Sequence, residues 1–487
     1  MGARTCVSLA FAVCVAAIVL VSVAASGEAE GWAGPQVPPA PGFPVKVALV
    51  LPLSGGAQSY GESTRDGALL AIQEAQAAGW DIQTVLADSE CDSGAAVDAA
   101  NQVIFTDTVK YIVGAVCSSA SIPISEIAEA NHVLQISPTS TNPEVTRFAD
   151  GTNKEYVFRA CFLDPFQGEV MASIARDLGA TTAAVMYDEG NVYVRDLAVY
   201  FKIHFERMGG TVPVFEPYSQ DTYDFSGILG EVRTANPDVL FLPDYFGKVN
   251  EIAVQANAAG IEATFLGADG WDSTDLRRDL LEGAYFSNHF WPGEPRQVVV
   301  DFVETYSTTY GTQPDALAAL GYDATGLLLQ AIAEAGVDDP SVVKGAMAGI
   351  VYEGVTGKIT FDEFGDSIKG AAVMRIEGGQ TTLFKWVAPI SQLSAVNDGP
   401  TDWPQATILT AMVATGSDVA YAWALGDGAT ASGRVVTHTY PTPADFTAVV
   451  TASNWFNSAT VTTTVQVAGH RVFLPVVTRE VASLGFR

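Results

Sequence analysis

Six short segments carry the residues best suited to chemistry. Three are rich in hydroxyls and small residues: Leu53-Ser-Gly-Gly-Ala-Gln-Ser-Tyr60-Gly61, Cys117-Ser118-Ser119-Ala-Ser121, and Ser137-Pro-Thr139-Ser-Thr141-Asn-Pro143. Three others combine carboxylates with aromatics: 188–193 ending in Tyr193, Asp244-Tyr245-Phe246, and Asp269-Gly-Trp271-Asp272. Hydroxyls and backbone N–H groups at helix starts bind an anion without a fixed cation, because the helix terminus offers unpaired donors and a partial positive charge. Carboxylates beside aromatics suit an ammonium group and an apolar side chain. Together the two sets describe a clamp for a small zwitterion. The same residues also fit a plainer role, since Ser, Thr and Asp are common N-caps and tyrosines are ordinary core or surface residues. Their shared placement at strand ends favours binding.

That placement follows from the elements around them. Residues 45–51 form a continuous apolar run, as in a strand buried on both faces of a parallel sheet. A helical apolar spacing follows over 64–78. The alternation repeats with strands at 82–87, 111–116 and 133–136 and helices at 94–106 and 122–131. A second series has strands at 183–187, 211–215, 239–242 and 264–266, with helices at 194–208, 225–235 and 249–258. Two βα series predict two doubly wound α/β lobes, whose ligands bind beyond the carboxyl ends of the strands. Helices at 298–310 and 316–335 must return to one lobe or the other. Residues 390–404 are polar with Pro400 and Pro404 and read as a linker with few contacts across it. The Thr-, Val- and Ala-rich alternation at 405–468 predicts a small all-β sandwich, followed by a tail at 469–487.

The chain has 487 residues, 55 acidic and 25 basic, for a net charge of −30. That balance argues against nucleic acid as a partner, which requires clustered Lys and Arg. Arg4, the apolar run from Cys6 to Ala25 and the small residues after it read as a signal peptide over 1–26, with an uncleaved anchor as the competing reading. A Pro- and Gly-rich linker follows at 27–44, and no other stretch reads as long and apolar enough to span a bilayer. Of the cysteines left after cleavage, Cys91, Cys117 and Cys161, two can pair in an oxidising compartment. Metal binding by the trio lacks supporting spacing. No G-x-S-x-G, H-E-x-x-H or G-x-x-x-x-G-K is present, and the five His (132, 204, 289, 438, 470) show no ligand or triad spacing. No catalytic residue, metal or cofactor is predicted.

The loops carry a more specific resemblance. PLSGGAQSYG (52–61), DGALLAIQEA (66–75), ECDSGAAV (90–97), GAVCSSAS (114–121), ISPTSTNPE (136–144), FLGADGWD (265–272) and FDEFGD (361–366) resemble the leucine/isoleucine/valine-binding family of type I periplasmic binding proteins. The resemblance covers 45–389. It implies a two-lobed fold of two doubly wound parallel sheets joined by three crossovers, with one lobe near 45–162 and 290–358 and the other near 163–289 and 359–389. It further implies that Ser118 and Thr141, with backbone groups near Thr139, hold a ligand carboxylate, that Asp269 meets the ligand ammonium, and that Tyr60, Tyr193 and Tyr245 line the pocket; Ser119 and Trp271, on the same loops, are further ligand-binding candidates. Cys91 and Cys117 match the family's disulfide pair, leaving Cys161 free. The family commonly has Glu where Asp269 stands and no Trp beside it. YAWALGDG (421–428), HTYPTPADFT (438–447) and VTASN (450–454) resemble a PKD-type immunoglobulin-like domain.

The reading that results is an exported, monomeric, non-enzymatic binding protein that captures an amino acid by hinge closure and delivers it to the membrane permease of an ABC importer. The rival is a ligand-sensing receptor of the same fold for an amide, urea or aromatic acid.

Overall fold

The computed structural model describes residues 37–454 and 456–469. The signal-peptide reading, most of the first linker and nearly all of the tail lie outside those residues.

The first sheet has the order β2-β1-β3-β4-β5 and is parallel throughout, from β1 (Val45–Leu51), β2 (Ile82–Asp88), β3 (Tyr111–Gly114), β4 (Leu134–Ser137) and β5 (Val157–Arg159). The apolar run of β1 is buried on both faces. Val47, Leu49 and Leu51 join one core with α1 (Gln58–Ala77), and Ala48 and Val50 join another under α2 (Ser93–Asn101) and α3 (Ser118–Ala130). The three residues of β5 are too few to show a period, so no strand was expected there.

The chain then enters a second sheet through α4 (Asp164–Asp177). Its strands are β6 (Thr182–Asp188), β7 (Thr211–Tyr218), β8 (Val239–Phe241), β9 (Thr264–Gly267) and β10 (Tyr285–Asn288). The helices α5 (Val192–Arg207), α6 (Ser226–Ala235) and α7 (Phe246–Ala258) alternate with them. From β10 the chain returns to the first lobe as α8 (Gln297–Tyr310), α9 (Ala316–Ala335) and α10 (Pro340–Gly349), then forms the hairpin β11 (Tyr352–Gly354) and β12 (Gly357–Ile359). A last crossover adds β13 (Ala371–Glu377) antiparallel to β10 and β14 (Gln380–Val387) antiparallel to β13, giving the order β14-β13-β10-β9-β8-β6-β7. The second sheet is therefore mixed at one edge and parallel elsewhere.

α9 corrects one expectation. By length and hydropathy it could cross a membrane, yet most of it is buried as the central helix of the first lobe. Two glycines let it lie against α1. A Cβ on Gly67 would stand 1.9 Å from the Ala318 carbonyl oxygen, and one on Gly321 2.3 Å from that of Thr64.

The carboxy-terminal sandwich pairs a sheet of β15 (Ser394–Asn397), β17 (Thr407–Met412) and β20 (Val435–His438) with a second one. The second holds β16 (Thr401–Asp402), β18 (Ala420–Ala424), β19 (Thr430–Ser432), β21 (Asp445–Ser453) and β22 (Ser458–Ala468). Its core is Leu409, Trp423, Leu425, Tyr440, Val450 and Val465 with their neighbours. The linker expected at 390–404 is thus partly sandwich, because β15 and β16 lie inside it. The short strands of a small sandwich expose half their residues, so their composition resembles that of a linker.

The expectation of few contacts also fails. Asn454 Nδ2 donates to the Ala388 carbonyl at 3.0 Å, Ile390 N donates to Asn457 Oδ1 at 2.8 Å, and the Phe456 ring meets Phe166 of α4 edge-on at 5.3 Å. The sandwich is seated on the second lobe.

Candidate functional site

The strand ends of both sheets meet across one cleft. From the first lobe it is lined by Tyr60, Val116, Ser118, Thr139 and Thr141 and by Ala316, Leu317 and Leu320 of α9. The second lobe contributes Tyr193, Tyr245, Asp269, Gly270, Asn288 and His289.

On the first lobe the local backbone creates donors. α3 starts at Ser118 behind Cys117, whose side chain makes no cap. The N–H groups of Ala120 and Ser121 turn back to the Cys117 carbonyl, so those of Ser118 and Ser119 have no intrahelical acceptor. The loop after β4 is held from behind by Arg159. Its guanidinium donates to the Ser140 and Asn142 carbonyls at 2.8 and 2.9 Å and pairs with Asp366 at 2.6 Å, both side chains being buried. Thr139 Oγ1 donates to the Val116 carbonyl at 2.8 Å, so its hydroxyl is engaged. Asn142 N donates to Ser118 Oγ at 3.3 Å, tying the two loops together. The Thr141 hydroxyl lies beside the buried carboxyl of Asp164, which burial pushes far above the ordinary range.

On the second lobe, Asp269 opens a single 3-10 turn after β9. Gln167 Nε2 and Tyr193 OH each donate to its Oδ1 at 2.7 Å, and His289 Nε2 lies 3.1 Å from its Oδ2. Burial pushes the Asp269 carboxyl up, but the hydrogen bond from His289, the attraction of that ring when it is charged, and the hydrogen bonds from Gln167 and Tyr193 outweigh it and hold the group below its usual value. Burial pushes the His289 imidazolium down to about 4, so near neutrality the ring carries no charge. The ion-pair partner of Asp269 among the described residues is this His, and its donors among them, Gln167, Tyr193 and the neutral ring, carry no charge. Tyr193 and Tyr245 stack at 5.3 Å, with Tyr60 edge-on to Tyr245 at 5.7 Å.

The lobes are closed on each other. Tyr60 OH donates to the Gly270 carbonyl and accepts from Phe246 N at 3.3 Å. Asp272 Oδ2 accepts from Ala316 N at 2.8 Å, and Asn142 Nδ2 donates to Asp196 at 2.9 Å.

Seven of the nine residues named from the sequence therefore line one cleft. Two do not. Ser119 Oγ donates to the Cys91 carbonyl at 2.9 Å, because the first helical turn rotates it away from the cleft. Trp271 is wholly buried in the core of the second lobe, and its Nε1 donates to the Leu242 carbonyl at 2.9 Å. Cys91 and Cys117 are bonded and Cys161 is free and buried.

Sequence reasoning missed Asn288, His289, Gln167 and the apolar wall of α9. His289 directly follows β10, so the strand-end rule would have found it had 285–288 been read as a strand.

A family model described as periplasmic binding protein matches residues 44–380. The chain belongs to the periplasmic binding protein family. A PKD domain model matches 394–467 of this binding protein. Among curated relatives, the leucine-, isoleucine-, valine-, threonine- and alanine-binding protein of Pseudomonas aeruginosa is 31% identical over 333 residues, 66% of this chain and 87% of that protein. A leucine-binding protein from Thermotoga maritima superimposes with a TM-score of 0.68 at 34% identity, over 71% of this chain and 99% of that one. A branched-chain amino acid transporter substrate-binding protein from Streptococcus pneumoniae, solved with isoleucine, gives 0.66 at 25% identity over 71% and 100%.

Proposed function

We propose that this periplasmic binding protein captures an α-amino acid with an apolar side chain and presents it, closed between its lobes, to the permease of an ABC importer. The observation that carries the reading is the opposition across one cleft of an ionised Asp269, served among the described residues by neutral donors only, and the N–H groups of Ser118 and Ser119, which have no intrahelical acceptor. A zwitterion answers both ends, and each end alone would leave a buried charge uncompensated. Leu317, Leu320 and the Tyr60 and Tyr245 rings supply the wall for an aliphatic side chain. In this reading Ser118 and Thr141, with backbone groups near Thr139, meet the ligand carboxylate. The lobes rotate about the three connecting segments, the chain acts as a monomer outside the cytoplasm, and no covalent chemistry is done on the ligand.

The ligands for which the relatives are named or with which they were solved, leucine and isoleucine among them, support the choice of class. The test is a thermal-shift panel of aliphatic amino acids, their amides, urea and benzoate. A ligand present at 100 times its Kd stabilises the native state by about 2.7 kcal/mol. A shift with leucine, isoleucine or valine and none with benzoate or urea supports the reading. A shift confined to ligands without an ammonium group contradicts it.

A further inference from the structure

His289 was not among the residues that the sequence pattern brought to the site, yet it makes the sole hydrogen bond to Asp269 Oδ2 among the described residues. The ring is 1% exposed at its side chain and lies face to face with Phe162 at 3.7 Å. Its Nδ1 is buried and has no hydrogen-bond partner among the described residues. An ionised carboxylate only accepts, so Nε2 must carry the proton and the bare Nδ1 is the second nitrogen of a neutral ring.

We propose that His289 is a specificity-determining positioning residue, whose neutral imidazole holds Asp269 Oδ2 with one N–H and leaves the carboxylate's charge to be answered by a ligand amine. This deepens the amino-acid reading and rests on it. A lysine or arginine at 289 would neutralise the acid internally and compete with the ligand. An apolar residue would leave Oδ2 bare in a buried site, and the acid would take up a proton instead. The imidazole avoids both outcomes, because burial keeps it uncharged while the charge on Asp269 still attracts its N–H.

The surroundings of the pair are consistent with this. On Asp269 the facing ionisable groups are the Asp164 carboxyl of α4, the Asp272 carboxyl of its own turn, and the hydroxyls of Tyr60, Tyr193 and Tyr245. Each of these is anionic or neutral. Cys161, buried nearby, is also uncharged, its thiol pushed up to about 12 by burial. On His289 the further charge is Lys369, from the segment between β12 and β13, which opposes protonation of the ring. Lys369 itself is engaged by Thr356 and, electrostatically, by Asp323.

The experiment is the pH dependence of L-leucine binding by calorimetry, from pH 3 to 8, for the full chain and two variants. His289→Phe keeps a ring on Phe162 and removes the donor, whereas His289→Gln restores an N–H. The wild type should lose no affinity as pH falls until it reaches its acid limb. In His289→Phe that limb should move up by about one pH unit or more, with affinity falling about tenfold per unit below it as Asp269 protonates. His289→Gln should keep the wild-type midpoint. An unchanged midpoint in His289→Phe, whatever its overall Kd, overturns the proposal, and so does a His289→Gln limb displaced as far as that of His289→Phe. If either variant fails to fold, nitrogen NMR of the wild-type ring decides. A neutral Nε2–H tautomer from pH 5.5 to 8 is expected, and an imidazolium or Nδ1–H tautomer refutes the assignment. Absence of any leucine binding by the wild type would instead remove the amino-acid reading, before any variant is compared.

Discussion

Replacing Asp269 by Asn removes one charge and almost no volume. The amide oxygen can still accept from Gln167 and Tyr193, which now sit 2.7 Å from Oδ1. The amide nitrogen would face the His289 N–H, 3.1 Å away, and the ring must change tautomer to accept from it. That moves the ring proton to a nitrogen with no partner among the described residues, a buried unsatisfied donor costing about 1–3 kcal/mol. Against this, the fold no longer buries a carboxylate, so the melting temperature without ligand should move by only a few degrees. Ligand binding should suffer more. An ammonium enclosed in the cleft loses its charge partner, and breaking such a pair costs about 2–5 kcal/mol, roughly thirty- to several-thousand-fold in Kd. Calorimetric titration of both proteins with L-leucine at pH 7.5 measures it. A Kd within threefold of the wild type would refute the claim that Asp269 receives the ammonium. A large fall in apo stability would mean that the carboxylate serves the fold rather than the ligand.

Three further expectations concern the frame around the cleft. The Cys91–Cys117 bond closes a loop of 26 residues, so in the chain-entropy model the double Ser variant should lose about 3.5 kcal/mol, read by urea unfolding with and without reductant. Phe456→Ala removes the ring set against Phe166. It should lower the melting temperature of the binding protein by several degrees, with a cost of about 1–3 kcal/mol because the ring is only partly buried, whereas an independent tail would show no change. Burial, and secondly the Asp272 carboxylate brought to the same helix start from the other lobe, push Asp315 up to about 7. Closure then favours the protonated acid, so leucine affinity should fall as pH rises toward about 7 and level off above it. Asp315→Asn, with binding measured at pH 6 and pH 8.5, should flatten that difference.

Much of the fold was legible because its signals are long and redundant. The seven apolar residues of β1 and the helical period of α1 read clearly, and each βα unit repeats the pattern. The loops after strands then pointed to Tyr60, Ser118, Thr141, Tyr193, Tyr245 and Asp269 without any knowledge of contacts. What escaped was short or tertiary. Strand β5 has three residues and β10 four, including Ser287 and Asn288, which look like loop. Missing β10 hid His289. Ser119 and Trp271 were misplaced because their neighbours face the cleft while one step of a helix or a 3-10 turn rotates them away. The 390–404 segment failed for a different reason. A two-residue strand such as β16 is defined by its partner β22 and not by its own pattern, and the seat of the sandwich on α4 depends on Phe166 and Phe456, which are 290 positions apart in sequence.

The most direct measurement is a crystal structure of the full chain grown with L-leucine. The reading predicts the ligand ammonium at about 2.8 Å from an oxygen of Asp269, with its carboxylate against the Ser118 turn and the 139–141 loop. It also predicts the side chain against Leu317, Leu320 and the Tyr60 and Tyr245 rings. A ligand bound the other way round, or one held in the cleft with no cationic group near Asp269, would contradict it.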